Sequence, residues 1–134
     1  MNFIKKIFGQ KKIQTQVFDI SLPKMQSAFD QMEKEAGWDV KMELYWGYYF
    51  LEHEVSKLES FAKQLEKLGF RIVEIRIASE DKEYLMHAEE HITHSPKSLF
   101  EKCHELAKLA NKNEIEVFDG WDVEQMTMNK GLVE

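Results

Sequence analysis

The sequence predicts an α+β fold, a ferredoxin-like βαββαβ sandwich in which two helices cover one face of a four-stranded antiparallel sheet, preceded by an N-terminal helix. Two observations predict it. After a first helical pattern, the apolar spacing changes in the order strand, helix, strand, strand, helix, strand. Glycine also stands at two junctions, Gly69 between a helical and a strand pattern and Gly120 just after a short strand.

The chain has the length and composition of one globular domain, with 134 residues of which 43% are hydrophobic. We predict a basic N-terminal arm over residues 1–20 and a single domain over residues 21–134. No apolar run approaches the roughly 20 residues that span a bilayer, and residues 1–10 lack the continuous apolar stretch of an export signal. We therefore expect a soluble, cytoplasmic protein.

Charge is distributed unevenly along the chain, which has 18 basic and 24 acidic residues and a net charge of −6. The arm holds Lys5, Lys6, Lys11 and Lys12 but only one acidic residue, so the domain that follows is strongly acidic. Because an acidic domain gains little by neutralising phosphates, direct binding of nucleic acid is disfavoured. The arm itself is either a contact for phosphate or anionic lipid or a solvated terminus.

The first helix is predicted over residues 21–36 and the first strand over residues 40–50. Ser21 can cap the helix, Pro23 fits its first turn, and Gly37 ends it. The strand alternates, and its more apolar face is expected to be buried. That face holds Met42, Leu44, Trp46, Tyr48 and Phe50.

A helix over residues 54–68, a strand over residues 70–79 and a strand over residues 83–93 are predicted next. The polar link between the two strands is short, which favours an antiparallel hairpin. In the second strand Tyr84, Met86, Ala88 and Ile92 share the core face, whereas His87, Glu89 and His91 share the opposite one.

The second core-facing helix is predicted to begin at Ser95, with Pro96 in its first turn. It carries Cys103, the single cysteine, which excludes an intramolecular disulfide and is expected to be buried. A short strand over residues 114–118 then ends at a turn formed by Asp119 and Gly120, and a positive φ is expected at Gly120. Trp121 follows, either as a lid on the core or as a presented contact.

With both crossover helices on one side, the other face of the predicted sheet is bare. It is expected to carry Tyr45, Tyr49, Arg76, His87, Glu89, His91, Glu116 and Phe118. This set is aromatic enough to indicate a contact surface. Two interpretations remain open, one in which the N-terminal helix or a second copy of the chain covers the face, and one in which it is a functional binding face.

Several of these residues carry a resemblance to a known family. The chain from about residue 25 to 125 resembles the regulator of ribonuclease E activity B family, the protein inhibitors of that ribonuclease. The matched positions are Leu68, Gly69, Phe70, Phe118, Asp119, Gly120 and Trp121. The resemblance implies a ferredoxin-like α+β fold and a non-catalytic regulator that binds the endonuclease and slows RNA decay. Asp122 departs from the family pattern, which continues with glycine and threonine.

No catalytic, cofactor or metal site is predicted. His87 and His91 share a strand face but lie about 13 Å apart, at roughly 3.3 Å per residue, which is too far to share an ion. His53 and His104 have no serine or paired cysteine at a spacing that suggests a triad. A glycine-rich phosphate loop is also missing from the sequence.

Two hypotheses of function follow. In the first, the acidic domain is a protein-binding regulator that docks on a basic segment of a ribonuclease of the E or G type. The expected partner-binding residues are Tyr45, Tyr49, Phe118, Asp119, Gly120 and Trp121. In the second, the protein is an RNA-binding module that stacks bases on Tyr45, Tyr49 and Phe118, although its acidity argues against this.

Overall fold

The computed structural model describes residues 14–124, which form a five-stranded sheet and three helices. In chain order these are β1 (Gln16–Val17), α1 (Leu22–Lys34), β2 (Leu44–Glu52), α2 (Val55–Lys67), β3 (Arg71–Ile77), β4 (Tyr84–Ile92), α3 (Pro96–Lys112) and β5 (Val117–Glu124). Residues 1–13, which hold the lysines of the predicted arm, and residues 125–134 lie outside the described part of the chain.

The sheet has the strand order β1-β5-β2-β4-β3. The four longer strands pair in antiparallel fashion, whereas β1 pairs in parallel with β5. The α+β class is therefore confirmed, but the expected four-stranded, wholly antiparallel sheet is wrong, because the sheet is five-stranded and mixed. The added strand gives partners to exposed backbone groups of β5, since Gln16 N donates to Glu116 O at 2.9 Å and Phe18 N donates to Phe118 O at 3.1 Å.

All three helices pack on the same face of the sheet. The ring of Phe29 on α1 stacks on Trp46 with centroids 5.7 Å apart, and Phe61 on α2 meets Phe50 edge-on at 5.0 Å. Leu99 and Cys103 on α3 are fully buried against the same side. The possibility that the N-terminal helix covers the opposite face is therefore wrong, because its apolar stripe extends the core instead.

The first long strand begins later than its alternating pattern suggests. β2 starts at Leu44, whereas Met42, expected on the buried face, is 44% exposed. A turn precedes the strand, in which Met42 N donates to Asp39 O at 3.1 Å and Lys41 N donates to the Asp39 side chain at 3.0 Å. The Asp39 side chain thus diverts four residues of strand-like sequence into a turn.

The last strand runs through the position where a turn was expected. Phe118 pairs with Phe50 and Trp121 pairs with Tyr48, which leaves two residues, Asp119 and Gly120, between these pairs. This is a β-bulge inside a strand that continues to Glu124, so the predicted strand end at Phe118 is wrong. The positive φ expected at Gly120 is confirmed at 97°, because both kinds of kink place glycine in that conformation.

We predict that Gly120→Ala is more destabilising than Gly69→Ala. Both glycines have a positive φ, of 97° and 101°, so alanine strains the backbone at either site by about 1 kcal/mol. A Cβ at Gly120 would also lie 2.9 Å from Cδ2 of Phe18. A Cβ at Gly69 would have no described atom within 4 Å apart from those of its two neighbours in the chain. Urea unfolding of both variants measures the difference.

Adding Phe18→Ala provides the control for this comparison. In that background the two glycine variants should lose the same stability, because the clashing ring is gone. Equal losses in the presence of Phe18 would contradict the packing of its ring on Gly120.

Candidate functional site

The face of the sheet opposite the helices, which we call the open face, is the candidate site. Within residues 14–124 no helix lies over it. It is formed by Tyr45, Gly47, Tyr49 and Leu51 of β2, by Leu85, His87, Glu89 and His91 of β4, by Val117, Asp122 and Glu124 of β5, and by Arg71, Glu74 and Arg76 of β3. The placement expected from the sequence is confirmed for Tyr45, Tyr49, Arg76, His87, Glu89 and His91.

Two stacked tyrosine–histidine pairs lie on the open face. Tyr45 stacks on His91 with ring centroids 4.6 Å apart, and Tyr49 stacks on His87 at 4.5 Å. In each pair the two residues lie directly opposite one another on β2 and β4, the position at which cross-strand side chains touch. The rings are thus held in place before any partner arrives.

Gly47 lies between the two tyrosines, with Glu89 opposite it on β4 and Asp122 opposite it on β5. A Cβ at Gly47 would lie 2.5 Å from Oδ1 of Asp122 and 2.7 Å from Nε2 of His87. These two side chains therefore lean over the glycine from either side. No other residue fits there without displacing them.

The carboxylate of Asp122 is oriented by Tyr49, whose hydroxyl donates to Oδ2 at 2.7 Å. Burial raises the pKa of the Tyr49 hydroxyl, and the hydrogen bond and negative charge of Asp122 raise this pKa further. The hydroxyl therefore stays protonated at neutral pH and remains a donor to Asp122.

The β5 side of the open face is acidic. On the β3 side, Arg71 Nη2 lies 2.8 Å from Glu89 Oε1, and Arg76 Nε lies 3.2 Å from Glu74 Oε2. Each arginine is thus paired within the face. Asp122 and Glu124 have no ion-pair partner among the described residues, which leaves uncompensated negative charge along β5.

The remaining residues expected to bind a partner fall elsewhere. Phe118 is fully buried on the helix side, so its expected place on the bare face is wrong. The reason is its register, because it pairs with Phe50 and stacks on that ring at 5.1 Å. Asp119 is exposed at the bulge, and Gly120 is buried beneath Phe18.

Trp121 points to the helix side and combines the two roles that the sequence left open. It is half-buried, and its ring lies 5.8 Å from that of Trp46 in the core. Its outer side lines a shallow groove of about 510 Å³ together with Ala28 and Met32 of α1. Tyr45 and Tyr49 therefore lie together on one face of the sheet, and Trp121 lies on the other.

Sequence reasoning missed a polar network beneath α3. Tyr48 donates to Oε2 of Glu90 at 2.6 Å, and Nε2 of His94 lies 2.9 Å from the same oxygen. Lys102 Nζ lies 3.8 Å from the other oxygen of Glu90. The available signal was the strand parity, because Glu90 continues the core-facing series of Tyr84, Met86 and Ala88.

This network has the character of a structural element. Burial raises the pKa of Glu90, but hydrogen bonds from His94 and Tyr48 and the charge of Lys102 outweigh burial and bring the pKa below its ordinary value. Tyr48 is fully buried, and His94 is 5% exposed. Throughout the described chain, no buried side-chain nitrogen or oxygen lacks a hydrogen bond.

Residues 14–124 contain no group of three or more histidine, cysteine, aspartate or glutamate side chains placed to hold a metal ion. In the same span, no helix has both the length and the apolar character needed to cross a membrane.

Comparison with protein-family models identifies a family for this chain. A family model described as regulator of ribonuclease activity B matches residues 24–123. The matched span runs from Lys24, in the first turn of α1, through Val123 and includes both tyrosine–histidine pairs, Gly47 and Asp122. A search of the curated proteins finds no match.

We predict that Glu90→Gln destabilises the protein at pH 7 by about 1.5 to 3 kcal/mol, the range for buried hydrogen bonds to a charged group. A lowered pKa in the folded state means that the ionised carboxylate stabilises the fold above its ordinary pKa of 4.5 and loses that effect as the pH falls through the folded value. The difference between variant and parent should therefore shrink at pH 3, as measured by urea unfolding.

Glu89→Gln is the matched control, because Glu89 lies next to Glu90 but pairs with the exposed Arg71. Its cost at pH 7 should be about 1 kcal/mol or less. A Glu90→Gln difference that is undiminished at pH 3 would contradict the charged network.

Proposed function

Because the chain belongs to the regulator of ribonuclease activity B family, we propose that it is a non-catalytic protein that binds a ribonuclease through the open face. Family membership supports a role in regulating ribonuclease activity. The proposal adds that the partner is an endonuclease of the E or G type, that binding slows RNA decay, and that both proteins meet in the cytoplasm.

The observation that carries this proposal is the prearranged open face. Tyr45 and Tyr49 are fixed by stacking on histidines, with ring centroids at 4.6 and 4.5 Å. Fixed aromatic rings supply contact area at a low cost in side-chain entropy, which is why such residues anchor interfaces. The carboxylates of Asp122 and Glu124 beside them have no ion-pair partner among residues 14–124 and favour a basic partner segment.

Charge also weighs against RNA as the direct ligand. Base stacking on Tyr45 and Tyr49 needs cations nearby to hold the phosphates. The two arginines of the face already pair with Glu89 and Glu74. The carboxylates on β5 would repel the RNA backbone.

Trp121 and Asp119 extend the proposed contact. Asp119 is exposed at the bulge, and Trp121 lines the groove beside α1. A partner that touches the open face reaches Trp121 only by passing around the edge at β5, since the two surfaces lie on opposite sides of the sheet. Phe118 and Gly120 act indirectly, by holding β5 in place. Pairing of two copies through the open face would compete with the partner.

We predict that Tyr45→Ala weakens binding to a purified ribonuclease of the E or G type from the same source by roughly tenfold or more. Calorimetry with nuclease-treated proteins measures affinity, and cleavage of a fluorescent RNA measures inhibition. Raising the salt concentration should weaken binding further, because opposite charges meet at the interface.

His104→Ala is the control variant, because His104 is exposed on α3, on the other side of the protein. It should leave affinity unchanged. Equal affinity of Tyr45→Ala and the parent, with a loss in Trp121→Ala, would contradict the open face and move the contact to the groove. Binding that disappears on nuclease treatment would favour the RNA-binding alternative.

A further inference from the structure

We propose that two copies of this chain pair edge to edge through β3, in antiparallel fashion, so that their two sheets become one continuous sheet. β3 is an edge strand, because the strand order places it outside β4. Among residues 14–124, no strand pairs with its outer side. Edge pairing leaves the open face of each copy uncovered, so this dimer is independent of the proposed function.

The outer edge of β3 presents backbone hydrogen-bonding groups that no described strand satisfies. Ala78 N donates to Glu83 O at 2.7 Å, where the hairpin begins to close between β3 and β4. Because successive residues of an antiparallel strand turn their backbone groups to alternate sides, Ile75 and Ile77 direct theirs away from β4. β3 contains no proline, and its bulge lies just before Glu74, so the rest of the strand is a regular template for another strand.

The sequence of β3 is complementary to itself about Ile75. The residues on either side of Ile75 are Glu74 and Arg76, which carry opposite charges. In an antiparallel pair centred on Ile75, Glu74 of each copy lies opposite Arg76 of the other. The same pair places Val73 opposite Ile77, two apolar β-branched residues. A pair centred on Glu74 or on Arg76 would place like charges opposite each other, which is unfavourable, so charge selects one register.

Both charged side chains are available for this pairing. Glu74 and Arg76 lie on the open face and are 46% and 54% exposed. Within one copy, Arg76 Nε lies 3.2 Å from Glu74 Oε2. A guanidinium group has several further N–H donors, so Arg76 can contact the second Glu74 while it keeps the first. The centre of the dimer thus holds four charges of alternating sign.

The helix side of the same edge is apolar. Ile75 and Ile77 lie on that side, opposite Met86 and Tyr84 of β4, and Ile77 is 58% exposed. α2 contacts β4 and β2 as well as β3, so it lies inward from the edge and leaves room for the second copy. Pairing about Ile75 brings the two Ile75 side chains together and covers Ile77. Apolar contacts on one side and opposite charges on the other both stabilise neighbouring strands.

Sedimentation equilibrium of the full chain tests the dimer. We expect a mass that rises with concentration from 15.9 kDa towards twice that value. Glu74→Arg places arginine opposite arginine, and Arg76→Glu places glutamate opposite glutamate, so each variant should dimerise at least about tenfold more weakly. Both side chains are exposed, so the fold should persist, as circular dichroism would verify. A parent that stays monomeric at millimolar concentration would overturn the proposal.

Mixing the two variants separates strand pairing from a general effect of charge. An equimolar mixture of Glu74→Arg and Arg76→Glu places arginine opposite glutamate at both positions, so it should dimerise as the parent does. The double variant should also dimerise, because it only exchanges the two charges. Glu33→Arg is the control, a charge reversal at an exposed position of α1, and should leave the dimer unchanged. A mixture that stays monomeric, or equal weakening by Glu33→Arg, would overturn pairing through β3.

Hydrogen exchange distinguishes edge pairing from a dimer through the open face. The Ile75 amide should exchange more slowly when the dimer forms, because it then donates to the second copy. Tyr45→Ala lies away from β3 and should leave the dimer intact. Unchanged exchange at Ile75, or loss of the dimer in Tyr45→Ala but not in Glu74→Arg, would overturn the proposal and place the interface on the open face.

Discussion

The register of β2 is the constraint on which the rest of the structure depends. β2 is the central strand of the sheet, paired with β4 along one edge and with β5 along the other. Its even-numbered side chains Trp46, Tyr48 and Phe50 are fully buried under the helices, whereas Tyr45, Gly47 and Tyr49 face the other way. Because side chains alternate along a strand, a shift of one residue would exchange the core for the open face. The fold and the candidate site are thus two sides of one strand.

The helix side of β2 carries a buried polar group, the hydroxyl of Tyr48, which needs a hydrogen-bond partner in the core. Burial would leave the hydroxyl of Tyr48 without water, so it needs an acceptor inside the protein, and Glu90 of the neighbouring strand provides it at 2.6 Å. His94 links this pair to α3, because its Nδ1 lies 2.8 Å from Ser98 Oγ, part of the capping box that begins the helix. One network therefore connects two strands to the start of α3.

The sequence pattern predicts most elements of this fold, and its failures have physical causes. Asp119 and Gly120 form a local signal that suits a turn as well as a bulge, and only pairing with β2 decides between them. The placement of Phe118 fails because its pairing with Phe50 decides which side of the sheet it faces, and alternation along a short strand does not show that pairing. β1 is not predicted from the sequence, because two residues are too few to show the alternation of a strand. They form a strand only by pairing with β5. Glu90 is missed because its charge conceals a core-facing position.

On the open face, the sequence pattern predicts which residues of β2 and β4 share the face but not where the side chains of β5 lie. Alternation alone predicts that Tyr45, Tyr49 and His87 share a face, but it does not predict that Asp122 leans over Gly47, which depends on where β5 continues after the bulge. Without the bulge, β5 would present Trp121 on the open side and Asp122 among the helices. The extra residue at Gly120 therefore places a carboxylate between the two tyrosines. Rings held by histidines and a carboxylate held by Tyr49 lose little freedom when a partner binds. Ordering an unconstrained side chain at an interface costs about 0.5 to 1.5 kcal/mol. Side chains that are already ordered in the free protein therefore reduce the entropic cost of binding.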